Sequence, residues 1–174
     1  MEMPEAVLED LQATVSYLLD NELYLATAES CTAGLIAAAL GSVPGGGKVM
    51  ESGYVVYSPT AKHRLLGVSA QTIDRFGLTS EDVSREMAVG ALRDSEANVS
   101  VATTGVAGPE PMDDIAPGTV CFAWAFSIQG KTALFSHTHR FEGDRQAVIR
   151  QASCHALTAL KDCHRRARAG ESDY

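Results

Sequence analysis

Lys62 closes the run Tyr57-Ser-Pro-Thr-Ala-Lys62, and Ser30-Cys31-Thr32 separates an apolar run from an Ala-rich one. A lysine acts as a general base only if its pKa is depressed, which desolvation in a pocket supplies. The plain alternative for Lys62 is a solvated helix lysine. Tyr57 offers a hydroxyl that can relay a proton or orient a substrate, against the alternative of a core tyrosine with a bonded hydroxyl. Ser30 and Thr32 stand at a helix entrance. Backbone N–H groups there can receive a phosphate or an oxyanion, or the two hydroxyls can simply cap the helix. Cys31 shares that position but has no histidine near it in sequence, and it reads as a small packed residue. Thr104-Gly105 ends a strand-like run, where phosphate or ribose contacts are natural. Arg145, in Gly-Asp-Arg, carries a fork that fits a phosphate, unless Asp144 or Glu142 pairs with it first. His137 and His139 alternate on one strand, but no carboxylate or thiol is placed with them, so no metal site is expected.

The elements that must position these groups alternate in type. Helical spacing over 4–20, with Val7, Leu8, Leu11, Val15, Leu18 and Leu19 on one face, predicts a first helix. Residues 24–29 predict a strand, 33–40 an Ala-rich helix ended by Gly41, and 44–47 a glycine loop. Residues 52–58 are β-branched and aromatic, which predicts a strand, and Pro59 opens a short helix to Leu66. Residues 77–80 form a turn. Thr79 with Asp82, or Ser80 alone, can cap the following helix, whose inner stripe is Val83, Met87 and Ala91. Residues 98–105 read as a strand and 106–118 as a long loop. Residues 119–126 are apolar on both faces, as a central strand should be, with large residues (Val120, Phe122, Trp124, Phe126) alternating with small ones. The more polar 132–140 reads as an edge strand joined to it by a tight hairpin at Gln129-Gly130. Ile149, Ala152, Ala156 and Leu160 form the buried stripe of one last helix. The pattern predicts a mostly parallel sheet covered on both faces, with one late strand reversed. Ser30-Cys31-Thr32, Tyr57-Ser58 and Thr104-Gly105 then meet at the carboxyl ends of the parallel strands, where such sheets bind ligands.

With 174 residues the chain is read as one domain, 1–174. A net charge of −8 argues against bulk attraction to nucleic acid or to an anionic membrane. The basic cluster at 164–168 reads as a solvated helix end. Four cysteines without Cys-x-x-Cys spacing, behind an acidic start with no secretory pattern, fit a reduced, cytoplasmic setting. The long first helix could support a homo-oligomer.

Six ordered segments together carry a resemblance. "TAESCTAGLIAAAL" resembles Ala-Glu-Ser-Cys-Thr-Gly-Gly, and "GYVVYSPTAKHRLLGV" resembles Gly-(Phe/Tyr)-Val-x-Tyr-Ser-Asn-x-x-Lys. "GLTSEDVSREMAVGAL", "TTGVAGPE", "PGTVCFAWA" and "FEGDRQAVIRQA" complete the set. These segments resemble the CinA C-terminal domain family, which includes nicotinamide-mononucleotide deamidases. The resemblance implies a three-layer α/β/α fold with a five-stranded mixed sheet, order 2-1-3-4-5 and strand 4 antiparallel. It implies hydrolysis of the amide of a nicotinamide nucleotide in pyridine-nucleotide salvage, with a small-molecule nucleotide as partner and no organic cofactor. It also implies Lys62 as base beside Tyr57, with Thr32, Thr104, Gly105 and Arg145 near the substrate.

One departure matters. The family usually reads Gly-Ser-Ser where this chain has Gly45-Gly46-Gly47. If the nucleophile of a Ser–Lys pair belongs to that segment, this chain lacks it and is a weak or silent relative that binds a nucleotide or a partner protein. If not, Ser30 is the motif-placed nucleophile. The backbone of Gly46 and Gly47 would then approach a ligand closely.

Overall fold

A computed structural model describes residues 5–174, so the first residue of the predicted 4–20 helix lies outside the described region. The sheet has five strands: β1 (Leu25–Glu29), β2 (Met50–Val55), β3 (Val99–Gly105), β4 (Thr119–Ile128) and β5 (Lys131–Arg140). Their spatial order is β2-β1-β3-β4-β5. β1 runs parallel to both β2 and β3, β4 is antiparallel to β3, and β5 is antiparallel to β4. The hairpin predicted at Gln129-Gly130 forces that reversal.

The alternation of large and small residues on β4 has a direct packing cause. Phe122, Trp124 and Phe126 face helices α1 (Glu5–Asp20), α7 (Arg145–Thr158) and α8 (Leu160–Arg168) and are fully buried. The Trp124 indole N–H donates to the Ala156 carbonyl at 2.8 Å, so this largest core side chain leaves no polar atom unpaired. Ala123 and Ala125 face the other way, toward Val83, Met87 and Ala91 of α6 (Glu81–Asp94). Small residues on that face let α6 lie close to the sheet.

Several predicted boundaries change. Helix α2 (Leu35–Gly41) begins at Leu35 rather than residue 33, because Ala33 and Gly34 both take left-handed backbone angles. β2 spans Met50–Val55, which leaves Tyr57 just beyond its end. Pro59–Leu66 is a helix as expected (α4), and Ser58 caps it by accepting from the Ala61 N–H. Ser80 caps α6 by accepting from the Val83 N–H, and Thr79 takes no part in the cap. Helix α5 (Ala70–Phe76) was not predicted; none of its residues is fully buried, and the part-buried Ile73 against the core is too little for an apolar stripe. The single last helix is two, α7 and α8, separated at Ala159. His164 is not solvated like the rest of its basic cluster: it is buried, and its Nδ1 lies 2.9 Å from the Tyr17 hydroxyl.

Candidate active site

The direction of the parallel strands decides what can meet. β1 ends at Glu29 and delivers Ser30; β2 ends at Val55 and delivers Val56 and Tyr57; β3 ends at Thr104 and Gly105. α4 then folds back over the end of β2 and carries Lys62 to the same place. The result is a cleft of about 380 Å³ whose wall includes Ser30, Tyr57, Lys62, Thr104, Gly105 and Arg145.

Lys62 is almost entirely buried, at 1% exposure. Its Nζ lies 2.9 Å from Ser30 Oγ, 2.7 Å from the Val56 carbonyl oxygen and 3.0 Å from the Tyr57 carbonyl oxygen. No carboxylate is bonded to it. Burial pushes its pKa down from 10.5 to about 8. In the ammonium form all three N–H groups are used. In the neutral form the two carbonyls take the two remaining protons, and the lone pair is left for Ser30. The solvated-lysine alternative does not hold here.

The other predicted groups occupy varied positions. Tyr57 is 52% exposed at the rim of the cleft, so it is not a core tyrosine, and its main-chain carbonyl is what holds Lys62. Thr104 Oγ1 donates to the Leu78 carbonyl at 2.9 Å, leaving its lone pairs free. Arg145 donates to the Gly108 carbonyl at 2.8 Å, while Asp144 caps α7 through the Ala147 N–H; the expected competing ion pair is not formed. Cys31 lines the cleft, but burial pushes its thiol up to about 12, so it stays protonated.

Three expectations need correction. Thr32 does not line this cleft: it is buried, and its hydroxyl bonds Thr103 Oγ1 at 2.8 Å. The helix N-terminus after Ser30 is not open to a phosphate or an oxyanion either. The buried Glu29 carboxylate accepts from the Gly34, Ile36 and Ala37 N–H groups at 2.9, 3.1 and 3.0 Å, and takes up those donors. Gly46 and Gly47 are not in the cleft. They start the one-turn helix α3 (Gly46–Val49), which leads into the first residue of β2 at the amino end of the parallel strands. A Cβ at Gly46 would stand 1.8 Å from the Leu40 carbonyl oxygen, so glycine is there for a close backbone approach between helices. A serine at 46 or 47 would be across the sheet from Lys62.

Sequence reasoning missed Glu29, the two carbonyls that grip Lys62, and Thr79 and Glu110 on the cleft wall. Glu29 carried a signal: a charge inside an otherwise apolar strand must be satisfied by something. Among the described residues, no group of three or more His, Cys, Asp or Glu is arranged to hold a metal ion. His137 and His155 instead bond each other, Nε2 to Nε2 at 2.7 Å. No described helix is long and apolar enough to cross a membrane.

Known proteins share this architecture. The chain is 40% identical over 164 residues to "Nicotinamide-nucleotide amidohydrolase PncC" of Enterobacter agglomerans, covering 92% of this chain and 98% of that protein. It is 40% identical to "Protein YdeJ" of Escherichia coli K12, over 88% of each. It spans only 36% of a longer relative, the "Putative competence-damage inducible protein" of Caldicellulosiruptor saccharolyticus, at 37% identity over 86% of this chain. The crystal structure of competence/damage inducible protein CihA from Agrobacterium tumefaciens superposes with a TM-score of 0.86 at 32% identity, covering 94% of this chain and 99% of that one. The family description "CinA C-terminal domain" matches residues 8–164, and with this sheet order and these relatives the chain belongs to the CinA C-terminal domain family.

Proposed function

We propose that the chain is an amidohydrolase that cleaves the carboxamide of a nicotinamide nucleotide, with Ser30 as nucleophile and Lys62 as base, in pyridine-nucleotide salvage. The carrying observation is the 2.9 Å contact between Lys62 Nζ and Ser30 Oγ, with both other positions around the amine filled by carbonyls. Neutral Lys62 takes the Ser30 hydroxyl proton as Oγ attacks the amide carbon. The tetrahedral adduct collapses, Lys62 returns the proton to the departing nitrogen, and ammonia leaves. Water, activated by the same amine, attacks the acyl-serine and frees the carboxylate. Tyr57 at the rim, the free lone pairs of Thr104, the backbone at Gly105 and the Arg145 guanidinium are the groups we assign to holding the nucleotide.

The name of the Enterobacter agglomerans relative supports this substrate class. The catalytically silent alternative rested on the triple glycine, and Gly46 and Gly47 lie at the wrong end of the strands to have carried the nucleophile. Ammonia release from nicotinamide mononucleotide, measured for the unaltered protein, Ser30→Ala and Lys62→Met, tests the assignment. Each variant is expected to lose on the order of 10⁴-fold or more in turnover while keeping its melting temperature within a few degrees. Ordinary turnover by Ser30→Ala would remove serine catalysis from this cleft.

A further inference from the structure

Three hydroxyls among the described residues are buried without a hydrogen-bond partner: Thr27, Ser52 and Thr79. Thr27 and Ser52 sit inside β1 and β2. Thr79 alone of the three lines the cleft that holds Ser30 and Lys62. It is only 8% exposed. Its neighbours on the same turn are fully engaged. Ser80 Oγ donates to the Gly77 carbonyl and accepts from the Val83 N–H, and the Leu78 carbonyl receives Thr104 Oγ1. A buried hydroxyl without a partner is unfavourable, and native structures keep few of them. Thr79 does not cap α6, so capping gives no reason for a hydroxyl at this position.

We infer that Thr79 is a substrate-binding residue whose hydroxyl finds its partner in the bound substrate, on the cleft wall formed by the turn before α6. Oγ1 is out of reach of water in the free protein. Thr79 lies on the cleft wall, so a staggered step about χ1 is the movement by which its hydroxyl would meet a bound ligand. The partner is a hydrogen-bonding group of the substrate other than the reacting carbonyl, so the bond forms on binding and is retained through the reaction. The inference rests on the amidohydrolase reading above.

Three measurements on Thr79→Val and Thr79→Ser test it. Valine keeps the shape and removes the hydroxyl, whereas serine keeps the hydroxyl. Thr79→Val is expected to raise KM for nicotinamide mononucleotide roughly 3- to 10-fold with kcat within about twofold, the size of one neutral hydrogen bond. Thr79→Ser is expected to restore KM to within about twofold. The melting temperature of ligand-free Thr79→Val is expected to equal or exceed that of the unaltered protein, since an unpaired hydroxyl has been removed. A structural hydroxyl would give the reverse: a lower melting temperature with KM unchanged. If the unaltered protein releases ammonia and Thr79→Val has the same KM, the Thr79 assignment alone falls. If the unaltered protein neither binds nor hydrolyses the nucleotide, the amidohydrolase reading falls and takes this assignment with it.

Discussion

If Lys62 takes the proton of Ser30, the rate must follow the fraction of Lys62 that is neutral. Its ammonium has no carboxylate beside it and is held only by a hydroxyl and two carbonyls, so burial dominates and brings the pKa to about 8. With that value about one-tenth of the free enzyme is competent at pH 7, half at pH 8 and about nine-tenths at pH 9. kcat/KM for nicotinamide mononucleotide is therefore expected to rise about tenfold from pH 7 to pH 9. Below pH 7 it should fall about tenfold per pH unit. The assay is initial ammonia release at subsaturating substrate across pH 5.5–10, with constant ionic strength. Lys62→Met is expected to lose the inflection together with on the order of 10⁴-fold in rate. A flat profile between pH 6 and 9 would refute the neutral-amine mechanism, and a tenfold rise per unit that continues to pH 10 without levelling near 8 would refute the depressed pKa of Lys62.

Two further outcomes are expected. Gly46→Ser places a Cβ 1.8 Å from the Leu40 carbonyl oxygen and should destabilise by about 1–3 kcal/mol, whereas Gly47→Ser points into open space and should change stability by less than about 0.5 kcal/mol. Neither should raise ammonia release, and a gain from either, read beside its thermal melt, would return the glycines to the active site. The second outcome concerns His137 and His155, whose pKa values are lowered chiefly by burial, His155 to about 4 with help from its histidine neighbours. The folded pair binds fewer protons than the unfolded chain below the ordinary value of 6.5, so stability should fall as pH drops from 6.5 toward 4. Urea midpoints between pH 7 and 5 should show this slope. His155→Gln should flatten it, and an equal slope in that variant would assign the effect to other groups.

The strands and the one late reversal could be anticipated from their own patterns, whereas the order 2-1-3-4-5 came from the family resemblance. The both-faces-apolar β4 and the tight hairpin after it required that one late strand run against the others, as β4 does. Ser30, Tyr57, Lys62 and Thr104 could be brought together in advance, because residues that follow parallel strands share one end of the sheet. The same rule would have placed Gly46 and Gly47 correctly, since residues that precede a parallel strand share the other end. Motif comparison gave them weight in chemistry that their position does not allow. α5 left no trace because no residue of it is fully buried and only a part-buried Ile73 is packed against the α6-side core, too little to set a helical stripe, and the break at Ala159 has neither Gly nor Pro to mark it. The bonds of Glu29 to the start of α2 depend on side-chain reach across a turn that holds the left-handed Ala33, which local spacing does not report.

Ser30 and Lys62 are fixed by the ends of two strands that are hydrogen-bonded neighbours, β1 and β2. Part of the remaining cleft wall comes from elsewhere: the 106–118 loop supplies Gly108, Glu110 and Met112, and the turn before α6 supplies Leu78 and Thr79. On the proposed reading the strand ends carry the reacting pair together with Tyr57, Thr104 and Gly105, while the loop and the turn add a part of the wall to which neither the Ser30 hydroxyl nor the Lys62 amine is hydrogen-bonded. Changes in these loops are expected to leave the 2.9 Å spacing of Ser30 and Lys62 in place, because the β1–β2 ladder and the Val56 and Tyr57 carbonyls set it. If the amidohydrolase reading holds, a library confined to the loop residues should alter selectivity among related amides while the Ser30–Lys62 pair is kept.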